Sequence, residues 1–183
     1  MSSIEPVEIH ECSAEWVDEF QRIGARLRES LGNMALRIDH IGSTSVVGLA
    51  AKPIIDIQIS VLALDPMEPF LAPLESLGYV WQQDNLEKTE RYFKERPGER
   101  KTHIHVRLAG SWHEQFALLF RDYIRKHPDN QREYERVKKS LAQWYLNQRQ
   151  EYTKAKVPII WGIMRKADQW AADTGWQPGP SDA

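Results

Sequence analysis

Residues 40–59 read HIGSTSVVGLAAKPIIDIQI, and the succession of residue types in this stretch decides the fold expected of the chain. Just upstream, residues 35–41 alternate, Leu36, Ile38 and His40 falling on one side and Arg37 and Asp39 on the other, which is the period of a strand. Gly42 stops it and opens a polar turn of small hydroxyl residues, Ser43, Thr44 and Ser45. After Ala51 comes KPIIDIQISVL, β-branched and bounded by Pro53 and Asp65, hence a second strand. A period of two points Ile55, Ile57, Ile59 and Val61 into one layer and Asp56, Gln58 and Ser60 the opposite way.

Outward from this pair the chain alternates further. Residues 6–10 suit a short strand, and Trp16, Phe20, Ile23, Leu27 and Leu31 recur at helical spacing until Gly32. A helix is expected over Met67–Leu77, stopped by Gly78, then strands at 91–95 and 102–108 around Pro97 and Gly98. In the second of these, His103, His105 and Arg107 share a face. Beyond Gly110 the pattern turns helical: Ser111 and Glu114 form a capping box, Pro128 ends that helix, and two more are expected over Asn130–Tyr152 and Pro158–Trp170. The expected organisation is one domain over residues 1–173, an α/β half to about residue 110 and a helical half from 111. Residues 174–183, rich in Gly, Pro and Ser, are expected to form a flexible tail.

Composition narrows the partners. Lys and Arg number 24 against 26 Asp and Glu, a net charge of -2, so binding of nucleic acid through bulk charge is excluded. A small charged ligand in a local basic pocket is not. The single cysteine, Cys12, excludes an intramolecular disulfide and a Cys-rich zinc site. MSSIEPVEIH has no basic region followed by an apolar stretch, and no window approaches the ~18 apolar residues of a membrane span. The expected setting is cytoplasmic, without signal peptide or membrane anchor.

Several residues have the right types and spacing for chemistry. A glycine and hydroxyl residues between a strand and a short helix leave backbone N–H groups and the hydroxyls of Ser43, Thr44 and Ser45 to surround phosphate oxygens, with Lys52 as an added cation. The same residues equally suit a helix cap and a chain reversal. P-loop spacing is absent, which argues against a Walker-type NTPase. Asp56 interrupts an apolar strand, where an ionised carboxylate needs a cation, a metal or several donors. His103 and His105 can reach one ligand, metal ion or phosphate, or simply hydrogen-bond at a half-exposed sheet. In the mildly basic hairpin around them, Arg91 and Lys94 are candidates to face a phosphate. Phe116, Leu119, Phe120 and Tyr123, then Val137, Leu141, Trp144 and Tyr145, read as core stripes; Arg121, Asp122 and Arg125 stand out from them. Trp81, Trp112 and Trp161 suit core, interface or pocket wall alike.

HIGSTSVVGLAAKPIIDI at 40–57, RYFK at 91–94, THIHVR at 102–107 and LLFRDYIRKHP at 118–128 together resemble the GrpB family, small bacterial proteins placed in the nucleotidyltransferase superfamily. The resemblance runs from about Pro6 to Trp170; the family's usual VPG has Val47 before its glycine here. It implies an α/β (α+β) nucleotidyltransferase-like fold, a small mixed sheet with flanking helices and a helical C-terminal part. A related domain fused to dephospho-CoA kinase points toward nucleotide or coenzyme A metabolism. Active nucleotidyltransferases resemble one another in a Gly-Ser turn, two carboxylates at alternating positions of the next strand, and a third on a neighbouring strand, which hold two divalent cations against a triphosphate. Gly42 and Ser43 match the turn and Asp56 the first carboxylate, but Gln58 holds the second position and His103 or His105 the third.

What the resemblance implies is a metal-dependent nucleotidyltransferase moving a nucleotidyl group from an NTP to a small-molecule acceptor. Asp56, His103 and His105 would be catalytic, and Asp56 and His105 would bind Mg²⁺ or Mn²⁺, with Zn²⁺ as the softer option. Gly42, Ser43, Thr44, Ser45, Lys52, Arg91 and Lys94 would hold the nucleotide. The neutral Gln58 keeps open a non-catalytic module binding a nucleotide or coenzyme A precursor, and the two histidines keep open a metal-dependent hydrolase.

Overall fold

The structure, a computed structural model, describes residues 6–183. In chain order the elements are α1 (Glu15–Leu31), β1 (Arg37–Ile41), β2 (Ile55–Val61), α2 (Glu68–Ser76), β3 (Tyr79–Trp81), β4 (Glu90–Glu95), β5 (Thr102–Leu108), α3 (Trp112–Lys126), α4 (Pro128–Trp144), α5 (Arg149–Ala155) and α6 (Val157–Thr174). The five strands form one mixed sheet in the order β1-β2-β5-β4-β3. Only the central pair, β2 and β5, is parallel; the other three pairings are antiparallel. A parallel pair needs a long crossover, and α2 with the β3–β4 hairpin supplies it.

The alternation read from β2 sorts the two faces of the sheet. Ile55, Ile57, Ile59 and Val61 are buried with Ile104 and Val106 of β5 and Phe93 of β4, against Trp16, Phe20 and Leu27 of α1 and Phe70 and Leu74 of α2. Complete burial of each such side chain is worth roughly 2 kcal/mol, so this face anchors the fold. The opposite face carries Asp56, Gln58, His103, His105, Tyr92 and Lys94, brought level by register: Asp56 stands beside His103, Gln58 beside His105, and Tyr92 and Lys94 beside His105 and His103. A second apolar cluster joins Leu119, Tyr123, Ile124, Tyr134, Ile163 and Met164 of the helical half to Val46 and Leu49, just after the Ser43–Ser45 turn. The helices are thereby tied over the polar face.

Three local features differ from the sequence reading. β3 is an additional short strand at the sheet edge, and residues 6–10 contribute only a single bridge, His10 to Ala51. The long helix expected over 130–152 is broken into α4 and α5. No proline or glycine marks the break; Val7 N–H donates to Leu146 O at 2.6 Å there, and Val7 packs with Ala142 and Tyr152. A tertiary contact thus overrides helix propensity.

Residues 176–183, expected to fray, lie along β1 instead. Asp182 and Ala183 N–H groups donate to Ile38 O, Ile38 N–H donates to Ser181 Oγ at 2.8 Å, and His40 N–H donates to Asp182 Oδ2 at 2.9 Å. The segment satisfies a strand edge that would otherwise be an unpaired template. Asp182 also accepts from Arg121 Nη1 at 2.8 Å, and that arginine is almost wholly buried. Asp182→Ala is therefore expected to cost about 1–3 kcal/mol, since it leaves part of a buried guanidinium without its carboxylate. Urea denaturation measures it; an unchanged midpoint would show that the tail contributes nothing to the fold.

Candidate functional site

The polar sheet face and the helices above it enclose a cleft of about 600 Å³. At its floor Gly42 has φ of 69° and ψ of -171°, a conformation essentially confined to glycine. A Cβ added there would lie 2.4 Å from Asp56 Oδ2 and 2.9 Å from Asp56 Cβ. The turn can pass over Asp56 only because residue 42 has no side chain. Ser43 enters the cleft, while its neighbours are spent on structure: Thr44 Oγ1 donates to Ile54 O at 3.0 Å and Ser45 Oγ to Gly42 O at 2.7 Å. Ser45 O accepts from Arg125, so this arginine braces the turn, while Arg121 donates to His40 O on β1.

Two carboxylate–imidazole pairs lie side by side. His103 Nδ1 is 3.3 Å from Asp56 Oδ1, and His105 Nδ1 is 2.9 Å from Glu90 Oε2. Burial pushes the Asp56 carboxyl up, but the His103 hydrogen bond and the charges of His103, His105 and Lys52 outweigh it and hold Asp56 below its ordinary value. Burial opposes ionisation of Glu90 too, yet His105 and Arg107 pull it down to about 2. Arg107 donates to Glu90 Oε2 from Nε and Nη2 and to Gln58 Oε1 from Nη1, at 3.1, 2.9 and 2.8 Å. Gln58 is fully buried and its amide donates to Glu114 O. The second carboxylate position is thus neutral and also closed off by Arg107.

These contacts decide how the donors suit a metal. The pairing of Asp56 is with His103 rather than His105, His105 is turned to Glu90, and Gln58 is engaged. Among the described residues no three of His, Cys, Asp and Glu gather closely enough to hold a metal ion. The donor set does not fit a two-cation centre, which needs several carboxylate oxygens on one face.

Positive charge enters the cleft from elsewhere. Lys52 and Lys94 come from the sheet half; Lys138 on α4, Arg149 on α5 and Lys156 before α6 come from the helical half. Lys138 is almost fully buried and donates to Ser43 Oγ at 3.0 Å and to Ala50 O. Burial and the neighbouring Lys156 depress it to about 7. Burial, Lys156 and Arg149 depress Lys52 to about 8, and burial lowers Lys156 as well. Lys52 and Lys156 lie 5.3 and 4.7 Å from the Tyr152 ring centroid, cation–π contacts that partly offset their desolvation.

Of the residues singled out from the sequence, Gly42, Ser43, Lys52, Asp56, Lys94, His103 and His105 meet in this cleft. Thr44 borders it with its hydroxyl turned inward to the backbone, and Ser45 faces the other side of the turn. Arg91 is on the opposite face of β4 from Tyr92 and Lys94 and donates to Asp65 Oδ2 at 2.7 Å. Lys138, Arg149, Tyr152 and Lys156 were missed, because the helical half reads as core. One signal was available: Lys138 follows Tyr134 by four residues, a lysine on a buried stripe.

The chain matches the family model described as GrpB protein over residues 6–166. It is 36% identical over 199 residues to a dephospho-CoA kinase of Mycolicibacterium paratuberculosis, covering 94% of this chain and 49% of that protein. It is also 36% identical over 158 residues to a UPF0157 protein of Halalkalibacterium halodurans, covering 86% and 80%. The chain spans about half the length of the dephospho-CoA kinases it matches. The crystal structure of GrpB from Enterococcus faecalis superposes with a TM-score of 0.80 at 31% identity, over 89% of this chain and 99% of that one. The Cid1 poly(U) polymerase with MgGTP bound aligns at 0.53 with 14% identity, over 74% and 44%, a likeness of fold alone. With its mixed sheet, Gly-Ser turn and helical roof, this chain has a nucleotidyltransferase-like fold and belongs to the GrpB family.

Proposed function

We propose that this chain binds a phosphate-bearing ligand of nucleotide type in the cleft, with lysines rather than divalent cations supplying the positive charge. The observation that carries the reading is that Lys52, Lys138 and Lys156 line one cleft, Lys138 bonded to Ser43, in which Asp56 is the single lining carboxylate among the described residues. Desolvated lysines crowded together are costly, and an anion among them offsets that cost. The relatives named dephospho-CoA kinase and the fold shared with the Cid1 polymerase favour a nucleotide or coenzyme A precursor over other phosphates.

A thermal-shift series on metal-stripped protein tests this. ATP, GTP and dephospho-CoA, without divalent ions, are expected to raise the midpoint by a few degrees; a ligand at 100 times its Kd contributes about 2.7 kcal/mol. Binding should weaken as pH rises through about 7 to 8, the range where free Lys138 and Lys52 lose their protons, and should be accompanied by proton uptake. Stabilisation only when Mg²⁺ or Mn²⁺ is present, or none at any pH, would sink the reading.

A second reading is nucleotidyl transfer to a small-molecule acceptor, favoured by the Asp56–His103 contact under the Gly42 turn. There His103, oriented by Asp56, would take the proton of the acceptor hydroxyl as its oxygen bonds to the α-phosphorus of the NTP and pyrophosphate leaves. Product formed from an NTP and an acceptor, abolished by Asp56→Asn, separates it from binding alone.

A further inference from the structure

One wall of the cleft is apolar and aromatic, and it faces outward at the rim. Trp112, the first residue of α3, is 57% exposed although it lines the cleft with Phe116. Trp161 of α6 stacks on Trp112, with ring centroids 6.0 Å apart and planes inclined by 25°, and is itself 46% exposed. Phe116 closes the group, 4.8 Å from Trp112 and 5.6 Å from Trp161. Two indoles packed against each other and a phenyl ring, yet half open to water, make a flat apolar surface.

Resting on the phosphate reading above, we infer that this cluster receives a flat aromatic ring of the same ligand. The cleft would then select an aromatic base joined to a polyphosphate over a bare polyphosphate. The argument is the continuity of two unlike surfaces. The lysines, Ser43, Trp112 and Phe116 line the same cavity, with Lys138 almost fully buried and Trp112 more than half exposed. A ligand that only carried phosphate would leave the aromatic wall wet, and an apolar ligand would leave the lysines without an anion. Stacking of a base on an aromatic side chain is sequence-tolerant, so the surface fits the class rather than one base.

The test compares ATP with inorganic tripolyphosphate by calorimetry and tryptophan fluorescence, for wild type, Trp112→Ala and Trp112→Phe. ATP is expected to bind wild type about tenfold or more tightly than tripolyphosphate and to quench the fluorescence. Trp112→Ala should lose most of that preference while keeping its affinity for tripolyphosphate, and Trp112→Phe should recover part of it. Equal affinity of wild type for both ligands, or equal loss of both in a folded Trp112→Ala protein, overturns the ring site and leaves the phosphate site standing. A change of oligomeric state in Trp112→Ala with ATP affinity intact would make the cluster a contact between copies and also overturn it. Failure of both ligands to bind wild type would overturn the underlying phosphate reading together with the ring site.

Discussion

Gly42→Ala is expected to lower stability by about 3 kcal/mol or more and to abolish ligand binding. Two independent costs add. The backbone at φ of 69° and ψ of -171° costs a residue with a Cβ about 1–3 kcal/mol. The new methyl would also lie 2.4 Å from Asp56 Oδ2 and 2.9 Å from its Cβ, so either the turn or β2 must move. Asp56 and its contact with His103 lie directly beneath, and Ser43 with its bond from Lys138 is the next residue. Chemical denaturation of Gly42→Ala and of Gly42→Ala with Asp56→Gly separates the two costs. The second change removes the steric contact and leaves the backbone strain, so measured against Asp56→Gly alone, Gly42→Ala should cost only that strain, about 1–3 kcal/mol. A Gly42→Ala protein with wild-type stability and nucleotide-dependent thermal shift would contradict the site as described.

Glu90→Ala is expected to cost about 3–5 kcal/mol, because its carboxylate sits between His105 and Arg107 with 8% of its side chain exposed. Removing it leaves the half-buried Arg107 against Gln58 without a counter-charge. Replacing the partners together, Glu90→Leu with Arg107→Leu, should cost less than Glu90→Ala, the behaviour of a buried ion pair. The pH dependence follows from the same contact. Folding lowers Glu90 from 4.5 to about 2, so its contribution of about 3 kcal/mol is complete above pH 4.5 and disappears as pH falls toward 2. Burial lowers His40 from 6.5 to about 3, so the unfolded chain takes up a proton there first and stability declines as pH drops below 6.5. Denaturant midpoints measured from pH 7 to pH 2 should decline in two stages, gently below 6.5 and more steeply below 4.5, and Glu90→Gln should make the lower stage shallower, with Asp56 and His40 accounting for what is left. A single stage in wild type, unchanged in Glu90→Gln, would refute the assignment.

The local order of residue types was enough for the fold. The alternation of β2 separated Ile55, Ile57 and Ile59 from Asp56 and Gln58, the glycine stops bounded α1 and the turn, and the four blocks identified the family. Gly42, Ser43, Asp56, His103 and His105, which line the cleft, were legible as candidates because each is a residue type its own strand or turn does not require. Period alone also said which strand residues share a face, though Arg91 and Lys94, three apart, fall on opposite faces of β4.

What periodicity cannot carry is the partner across the cleft. Arg107 closing off Gln58, Glu90 taking His105, the lysines of the helical half meeting Ser43, and Val7 breaking the helix at Leu146 join residues 15 to 139 positions apart. The same holds for residues 176–183, whose composition predicts fraying but whose hydrogen bonds go to the edge of β1. Side-chain spacing reports only the face a residue occupies on its own helix or strand. Which charge it meets there depends on how the elements pack: Gln58 is neutral by its own chemistry, but only the packing sets Arg107 against it and brings Lys138 and Lys156 of the helical half into the cleft.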